Sequence, residues 1–391
     1  MAGATAVKRW PSLTPWRPSR GFIMKHLGIS IYTLLCVSLL PVSSAYSEKT
    51  DNASEAGPFR SVFITDSRIK LLKQAVAAKH EPACSAFAAL RQEADNNLSR
   101  CPSVPKRWYV PYFYLNADGH MKAKQGLQDD ANAAYALALC YRMTDDKKYA
   151  ASAIRLINAW AANLETMSRW CDSTLCFSYH FPAMVFAADL LRNDDVWPQD
   201  QQKDFSSFLL EKAGRMNTMA DEDNWGNWGL VLASACAVYQ KDETLFKKCV
   251  ERWKYFIEHQ IADDGHLPRE VKRSGGKRGI RYSHFCLMPQ TLAAEILRVN
   301  GVDLFDYKSP QGHTLKQAFF RIASWTAMPS TFPYWTGDPK ELRGVDYFSY
   351  FEILNAHWPN DSASALLVKA RPMSANHSAP FLTFTHGKAI P

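Results

Sequence analysis

The chain has 391 residues, of which 47% are hydrophobic and 13% aromatic, and its formal net charge is +8. It is long enough for one large or two small domains and too apolar to be intrinsically disordered. The positive balance does not by itself imply a nucleic-acid partner, and none is expected: residues 1–45 hold Lys8, Arg9, Arg17, Arg20, Lys25 and no acid, which leaves the rest of the chain at +3.

In chain order, the first recognisable element is a targeting segment. Met24-Lys25-His26 precedes the apolar run LGISIYTLLCVSLLPV, which ends at Ser43-Ser44-Ala45. A basic head, a short apolar stretch and small residues before a cut are the parts of a secretory signal, with cleavage expected after Ala45. Residues 1–45 are therefore read as leader and 46–391 as one exported domain, periplasmic or secreted, with no membrane association after cleavage. Cys36 lies in the apolar run, without the small residues of a lipoprotein signal.

From about residue 59 helix follows helix. Apolar residues at helical spacing mark a segment over 66–97, and a polar, aromatic loop is expected from 101 to about 126. Further helices are predicted near 129–144, 147–165, 179–193, 198–217, 226–240, 242–262, 284–300, 313–328 and 346–357. They are separated by breakers such as Thr144-Asp145-Asp146 and Lys241-Asp242. Strand patterns are scarce before Phe381-Leu382-Thr383-Phe384, and the tail after Pro359 is otherwise uninformative. The fold class is all-α: an (α/α) toroid or incomplete barrel of antiparallel helix pairs around a cleft. A solenoid would need a fixed sequence period, which is absent.

Eight cysteines follow the leader, an even number that permits disulfides in an exported protein. Cys171 with Cys176 is the first expected pair and Cys84 with Cys101 the second. Cys140, Cys236 and Cys286 lie in apolar helical runs and read as buried small residues. No cysteine pattern has zinc spacing, and no metal or cofactor is expected.

Four segments could carry chemistry. Arg269 to His284 packs six cations into thirteen residues and ends in Tyr282-Ser283-His284. Its cations, Arg273, Lys277 and Arg278 among them, suit carboxylates, because guanidinium offers bidentate contacts. An ordinary solvated loop would carry the same charges, and the adjoining Tyr282 and His284 favour a site. Asp221 to Gly229, which includes Asn224-Trp225-Gly226-Asn227-Trp228, is a compact polar and aromatic patch at a helix start, where amides can donate to a carboxylate. The plainer reading is a helix cap with the tryptophans in the core. His180, beside Phe181-Pro182, could line a cleft or be a structural polar residue. Pro105 to Tyr114 mixes cations and aromatics, as a lid over a sugar chain or a hydrophobic plug would. A phosphate loop, a Gly-x-Ser-x-Gly elbow and a His-Glu-x-x-His pair are all absent.

At these residues the chain resembles the alginate lyase family and its relatives that cut other polyuronates, over roughly residues 60–360. The resemblance is strongest at ANAAYALALCYRMTDDKKYA (131–150), FPAMVFAADLL (181–191), NWGNW (224–228), and from DGHLPRE (264–270) to RYSHFCLMP (281–289). It implies a single toroid domain, a monomer acting on an acidic polysaccharide, and no cofactor. By it Tyr282 matches the catalytic Tyr, Asn224 the carboxylate-binding Asn, and Arg273 or Arg278 the active-site Arg. His180 and His284 are further imidazole candidates, and Trp225, Trp228, Tyr114 and Lys277 candidate substrate contacts. One departure is clear: the residue after the matched Asn is His in well-known alginate lyases and Trp225 here. That bears on substrate, and glucuronan joins polymannuronate as a candidate.

The expected reaction is β-elimination. The C5 proton beside the uronate carboxylate is removed, O4 leaves, and Asn224 with an Arg neutralises the carboxylate as charge builds. Tyr282 acts as base and acid, with Arg273, Lys277, Arg278 and Arg281 expected to lower its pKa. A glycoside hydrolase on the same scaffold would need two opposed carboxylates, for which Asp221, Glu222 and Asp223 are available. A non-catalytic polyuronate binder is the remaining alternative.

Overall fold

In a computed structural model the described residues are 59–192, 194–342, 348–375 and 377–390, all within one unit, Ser54–Pro391. The leader and its expected cleavage point lie outside them. Fifteen α-helices are found among them: α1 (Asp66–Ala77), α2 (Ala83–Asn96), α3 (Ala117–Thr144), α4 (Lys147–Asn163), α5 (Ser173–His180), α6 (Pro182–Leu191), α7 (Gln199–Glu211), α8 (Asn224–Gln240), α9 (Glu243–Gln260), α10 (Pro268–Val271), α11 (Gly279–Val299), α12 (Leu315–Ala327), α13 (Phe351–His357), α14 (Asp361–Ala370) and α15 (Leu382–His386). The strands β1 (Arg107–Trp108) and β2 (Thr166–Met167) pair in parallel, with Arg107 opposite Thr166 and Trp108 opposite Met167.

Helix hairpins build an inner and an outer row. α3 packs on α2, α4 and α6, and α8 packs on α5, α9 and α11. α8 is buried from Gly226 through Tyr239, which its continuous apolar sequence requires. The outer α9 buries only Phe246, Cys249, Trp253, Phe256, Ile257 and Gln260, spaced as one face of a helix. The stretch Ser173–Leu191 is apolar and long enough to cross a membrane, but its two helices are packed inside the protein. This inner and outer alternation is the expected α/α toroid.

The breakers read in the sequence are literal caps. Asp145 and Lys241 end α3 and α8 in the left-handed conformation (φ 59° and 57°), and Asp146 and Asp242 then accept hydrogen bonds at the starts of α4 and α9.

Four sequence expectations are corrected. The segment 66–97 is two helices, parted by Lys79 at φ 56° and by Pro82. α3 starts at Ala117, because Asn116 caps Gly119 (2.9 Å) and the first turns are too polar to announce themselves as a core helix. α11 starts at Gly279, so Arg281–His284 are helical rather than loop. A Cβ on Gly279 would sit 2.3 Å from the Val271 carbonyl and 2.4 Å from the Phe332 ring, so only glycine fits that start. Of the strand-like 381–384, residues 382–384 open α15 and Phe381 caps it in the left-handed conformation (φ 69°).

The cysteine pairing is also corrected: all eight thiols are free. Cys176 is buried with its sulfur 3.0 Å from the Tyr179 hydroxyl, whereas Cys171 faces the Tyr109 hydroxyl at 3.4 Å. Cys140, Cys236 and Cys286 are buried, as their runs predict.

Two buried carboxylates tie down irregular chain. Asp130 accepts from Arg100 Nε (2.7 Å), Ser103 N (2.6 Å) and Trp160 Nε1 (2.9 Å), anchoring the root of the 101–116 loop. Glu352 accepts from both Arg371 nitrogens (2.9 and 2.5 Å) and from Thr383 Oγ1, which in turn accepts from Met373 N. This fixes the C-terminal segment. Removing one partner leaves the other charge buried and unpaired, so Glu352→Ala should cost about 3–5 kcal/mol, read as a lower denaturation midpoint in urea.

Candidate active site

The 101–116 loop is held flat by the β1–β2 pairing and by α5's first residues. Trp108 Nε1 donates to the Ser173 carbonyl (2.8 Å), Val110 N to Ser173 Oγ (2.9 Å) and Phe113 N to Asp172 Oδ2 (2.8 Å). Trp108 and Val110 are buried by these contacts, and Tyr109, Tyr112 and Tyr114 are left exposed. The loop is thus a lid with an anchored base and an aromatic outer surface. Tyr114, at its tip, places its hydroxyl 2.7 Å from the Tyr282 hydroxyl.

Tyr282 projects from the first turn of α11. Arg273 lies over its ring, 5.1 Å from the centroid, while Arg278 stacks on Tyr114 (5.4 Å) and Phe113 (5.8 Å). The phenol does not have the lowered pKa expected from the sequence. Burial first, and then the Tyr114 hydroxyl, push it well above its ordinary value, outweighing Arg273 and Arg278. The resting Tyr282 is a protonated phenol.

Much of the basic run is neutralised locally. Arg269 pairs with Glu222 (3.0 Å), and Arg273 pairs with Glu270 (3.0 Å) and Asp223 (3.5 Å). Glu222 and Asp223 are therefore partners of the basic turn, not an opposed hydrolase pair. Lys277 is exposed and makes no ion pair or hydrogen bond with a described residue. Gly276, at φ 93°, lies so close to Tyr334 that a Cβ would come within 2.1 Å of it, which fixes the turn.

Asn224 opens α8 just after its cap Asp223, and its amide donates to both Glu270 oxygens (3.2 and 3.4 Å). Glu270 is 1% exposed, and burial raises its pKa despite Arg273 and Asn224. Trp225 is partly exposed in the same helical turn. Trp228, one turn on, is buried among Tyr179, Phe285 and His377, and its indole N–H has no hydrogen-bond partner among the described residues.

The histidines divide. His180 faces this cluster: its Nε2 is 3.5 Å from Lys124 Nζ and its ring stacks on His377 (5.7 Å, 17°). His284 is corrected as a substrate contact. It turns away from Tyr282 into the core, with Nδ1 on the Tyr350 hydroxyl (2.9 Å), Nε2 on Thr326 Oγ1 (2.7 Å) and burial lowering its pKa to about 3. The sequence reading missed Lys124, Glu270 and His377. Glu270 had a signal, an acid inside a basic run; Lys124 and His377 had none. Among the described residues no group of three or more His, Cys, Asp or Glu could hold a metal ion.

The helical toroid with a tyrosine, arginines and amides in its cleft defines an α/α polysaccharide-lyase class of architecture. The alginate lyase family profile matches residues 73–332, well over half of the chain, and the chain belongs to that family. Relatives include an alginate lyase of Pseudomonas fluorescens (27% identical over 36% of this chain and 34% of the relative). A polysaccharide lyase of Stenotrophomonas maltophilia is 26% identical over 29% of this chain and 31% of the relative. The aligned segments thus span about a third of those relatives' length. Among solved structures, alginate lyase A1-III of Sphingomonas species A1 superposes with TM-score 0.68 at 17% identity, covering 86% of this chain and all of that one. A His→Ala variant of A1-III complexed with a tetrasaccharide gives 0.70 at 16%, over 85% and 97%.

The raised pKa of Glu270 sets a test. A carboxyl held above its ordinary value adds stability below its unfolded-state pKa and loses it as pH rises through the folded-state value. Glu270→Gln, which keeps an acceptor for Asn224, should therefore unfold at higher temperature than wild type at alkaline pH, with the difference shrinking on acidification. Glu270→Leu leaves the Asn224 amide without its acceptor and should cost about 1–3 kcal/mol.

Proposed function

We propose that this protein is a polysaccharide lyase that cleaves a β-1,4-linked uronate polymer, mannuronan-type alginate or glucuronan, by β-elimination. The observation that carries this reading is Tyr282: a half-buried phenol between a lid hydroxyl and the Arg273 guanidinium, in a chain of the alginate lyase family. The leader motif at 24–45 adds the proposal that it acts outside the cytoplasm.

Elimination needs two things of the protein. The uronate carboxylate must be neutralised as C5 loses its proton, and O4 must be protonated as it leaves. Asn224 and Arg273, joined through Glu270, stand as the neutralising pair. In mannuronate and glucuronate the C5 proton and O4 lie on one face of the ring, so a single phenol can serve both steps. Tyr282 takes the C5 proton as phenolate and returns it to O4. Its high resting pKa makes the phenolate scarce but strongly basic, and Arg273 and Arg278 stabilise it once substrate displaces Tyr114. That protonated resting state also favours a second reading, in which Tyr282 acts only as acid and an imidazole takes the proton.

Polymannuronate, polyguluronate, glucuronan and hyaluronan, each incubated with the protein, report elimination as ultraviolet absorbance of the unsaturated product. Tyr282→Phe should lower the rate by about 10²–10⁴-fold. For wild type, kcat/KM should climb through neutral into alkaline pH if Tyr282 is the base; a fall over that range means it is acid only. Reducing ends without the chromophore would mean hydrolysis and would overturn the lyase reading.

A further inference from the structure

The outer side of the lid base carries an aromatic and basic patch that the reaction at Tyr282 does not use. Trp170 is 78% exposed, and Tyr109 and Tyr112 are 43% and 45% exposed. Pairing of the two segments brings them together. Ser168 N donates to the Trp108 carbonyl (2.9 Å) and Asp172 N to the Val110 carbonyl (3.1 Å), so 168–172 runs beside 108–110. The Tyr109 hydroxyl then meets Cys171 Sγ at 3.4 Å, next in sequence to Trp170, and Tyr112 lies within electrostatic reach of the same phenol. Trp170 is held on both sides: its N–H donates to Ser168 Oγ (3.1 Å) and its carbonyl accepts from Ser173 N (3.3 Å). Cys171 takes the left-handed conformation (φ 57°), which a side chain adopts only at a cost. A single exposed apolar side chain needs no explanation, but an indole and two phenols gathered on an ordered surface mark a contact patch.

The charge available at this patch is positive. Arg107 lies over the Tyr109 ring, 6.0 Å from its centroid, and Arg169 directly precedes Trp170. Both arginines are exposed, and neither makes an ion pair or a side-chain hydrogen bond with a described residue. The acids of the two segments are engaged elsewhere. Glu165 pairs with Lys106 (3.5 Å), and Asp172 is turned inward on Phe113 N (2.8 Å) and the His120 ring (3.1 Å). Arg169 also lies within electrostatic reach of Asp221, in the segment that leads into Asn224. The patch therefore borders the cleft on one side and continues into the lid on the other. Tyr109 and the tip residue Tyr114 are at most about 18 Å apart even with the chain fully extended.

We infer that Trp170, Tyr109 and Tyr112, flanked by Arg107 and Arg169, form a platform for an acidic polysaccharide strand, holding rings of the polymer away from the bond broken at Tyr282. Sugar rings present flat C–H faces that lie against indole and phenol, while guanidinium meets ring carboxylates in bidentate fashion. The aromatics supply the contact area and the two arginines select a charged strand over a neutral one. The platform is open surface, so it needs no cavity and no movement of the chain. The inference rests on the polyuronate reading for its ligand, and it separates holding the polymer from cutting it.

Native gels cast with polymannuronate or glucuronan read binding without turnover when the protein carries Tyr282→Phe. In that background Trp170→Ala, and separately Arg107→Ser with Arg169→Ser, should weaken retention by at least one polymer about tenfold. Trp170→Tyr should recover most of it, and Trp170→Leu, apolar but not flat, should not. With Tyr282 intact, the same changes should raise KM for that polymer about tenfold and alter kcat by less than about twofold, the mark of binding lost equally in ground and transition states. Unfolding midpoints should match wild type, because the side chains changed are exposed; if Trp170→Ala lowers its midpoint, the arginine pair and Trp170→Leu decide. Loss of retention in the platform variants, with no unsaturated product from any polymer by wild type, would sink the lyase reading and leave the platform standing. Cleavage by wild type, with KM and retention kept in Trp170→Ala and in the arginine pair, would overturn the platform alone. Three other results overturn it as well. One is no retention of the Tyr282→Phe protein by either polymer. Another is equal, Trp170-dependent retention by neutral β-1,4-mannan. The last is Trp170-dependent sedimentation with phosphatidylglycerol vesicles in place of polymer binding, which would make the patch a membrane contact.

Discussion

Glu270 is a carboxylate with almost no access to water, and the geometry of the cleft depends on what it holds. It takes the Asn224 amide on one side and Arg273 on the other, so the first turn of α8 and the basic turn before α11 cannot move independently. A buried carboxylate is unfavourable in itself, and only two directed donors make it tolerable. The cost is borne at the place where an amide and a guanidinium must be aimed together. Arg273, fixed by Glu270 and Asp223, then lies over the Tyr282 ring, and Tyr282 reaches the lid. One buried ion pair thereby sets the position of three polar groups that the sequence scatters over sixty residues.

Protonation follows from the same burial. Desolvation raises the Tyr282 phenol and the Glu270 carboxyl and lowers the His377 imidazole to about 3. All three shifts favour the uncharged form, the expected result when a cleft is shielded before its ligand arrives. Burial acts against the cations here: Arg273 and Asn224 are what offset it at Glu270. The cations counted from sequence therefore misjudged the phenol: proximity along the chain measured their number, whereas the fold committed Arg273 to Glu270 and placed Arg278 on the aromatic lid.

The helical scaffold was legible because inner helices such as α8 are apolar throughout and outer helices such as α9 show one apolar face, and because Asp145-Asp146 and Lys241-Asp242 act as paired caps. Boundaries failed where the start was polar, as at α3, or forced by packing, as at Gly279. In the cleft, Tyr282, Asn224, Arg273 and His180 were legible as residue types in local motifs. His284 was misread because it is two residues from Tyr282 and so on a different helical face, where Tyr350 and Thr326 take both ring nitrogens. The cysteine pairing was misread because nearness along the chain does not fix direction: α5 turns Cys176 inward while Cys171 stays in the loop.

Lys124 and His377 had no local signal at all, since each is an isolated residue in an unremarkable stretch, some 250 positions apart. What joins them is the C-terminal segment, whose course is dictated by the buried Arg371–Glu352 pair and by Ser378 on the end of α5. This bears on the one departure from the family pattern. Trp225 stands partly exposed in the first turn of α8, and one turn on a segment beyond the family-matched region lays His377 against Trp228 on that same helix. The surface around Trp228 is therefore made by the tail as much as by the helices, and its shape depends on contacts that no local motif announces.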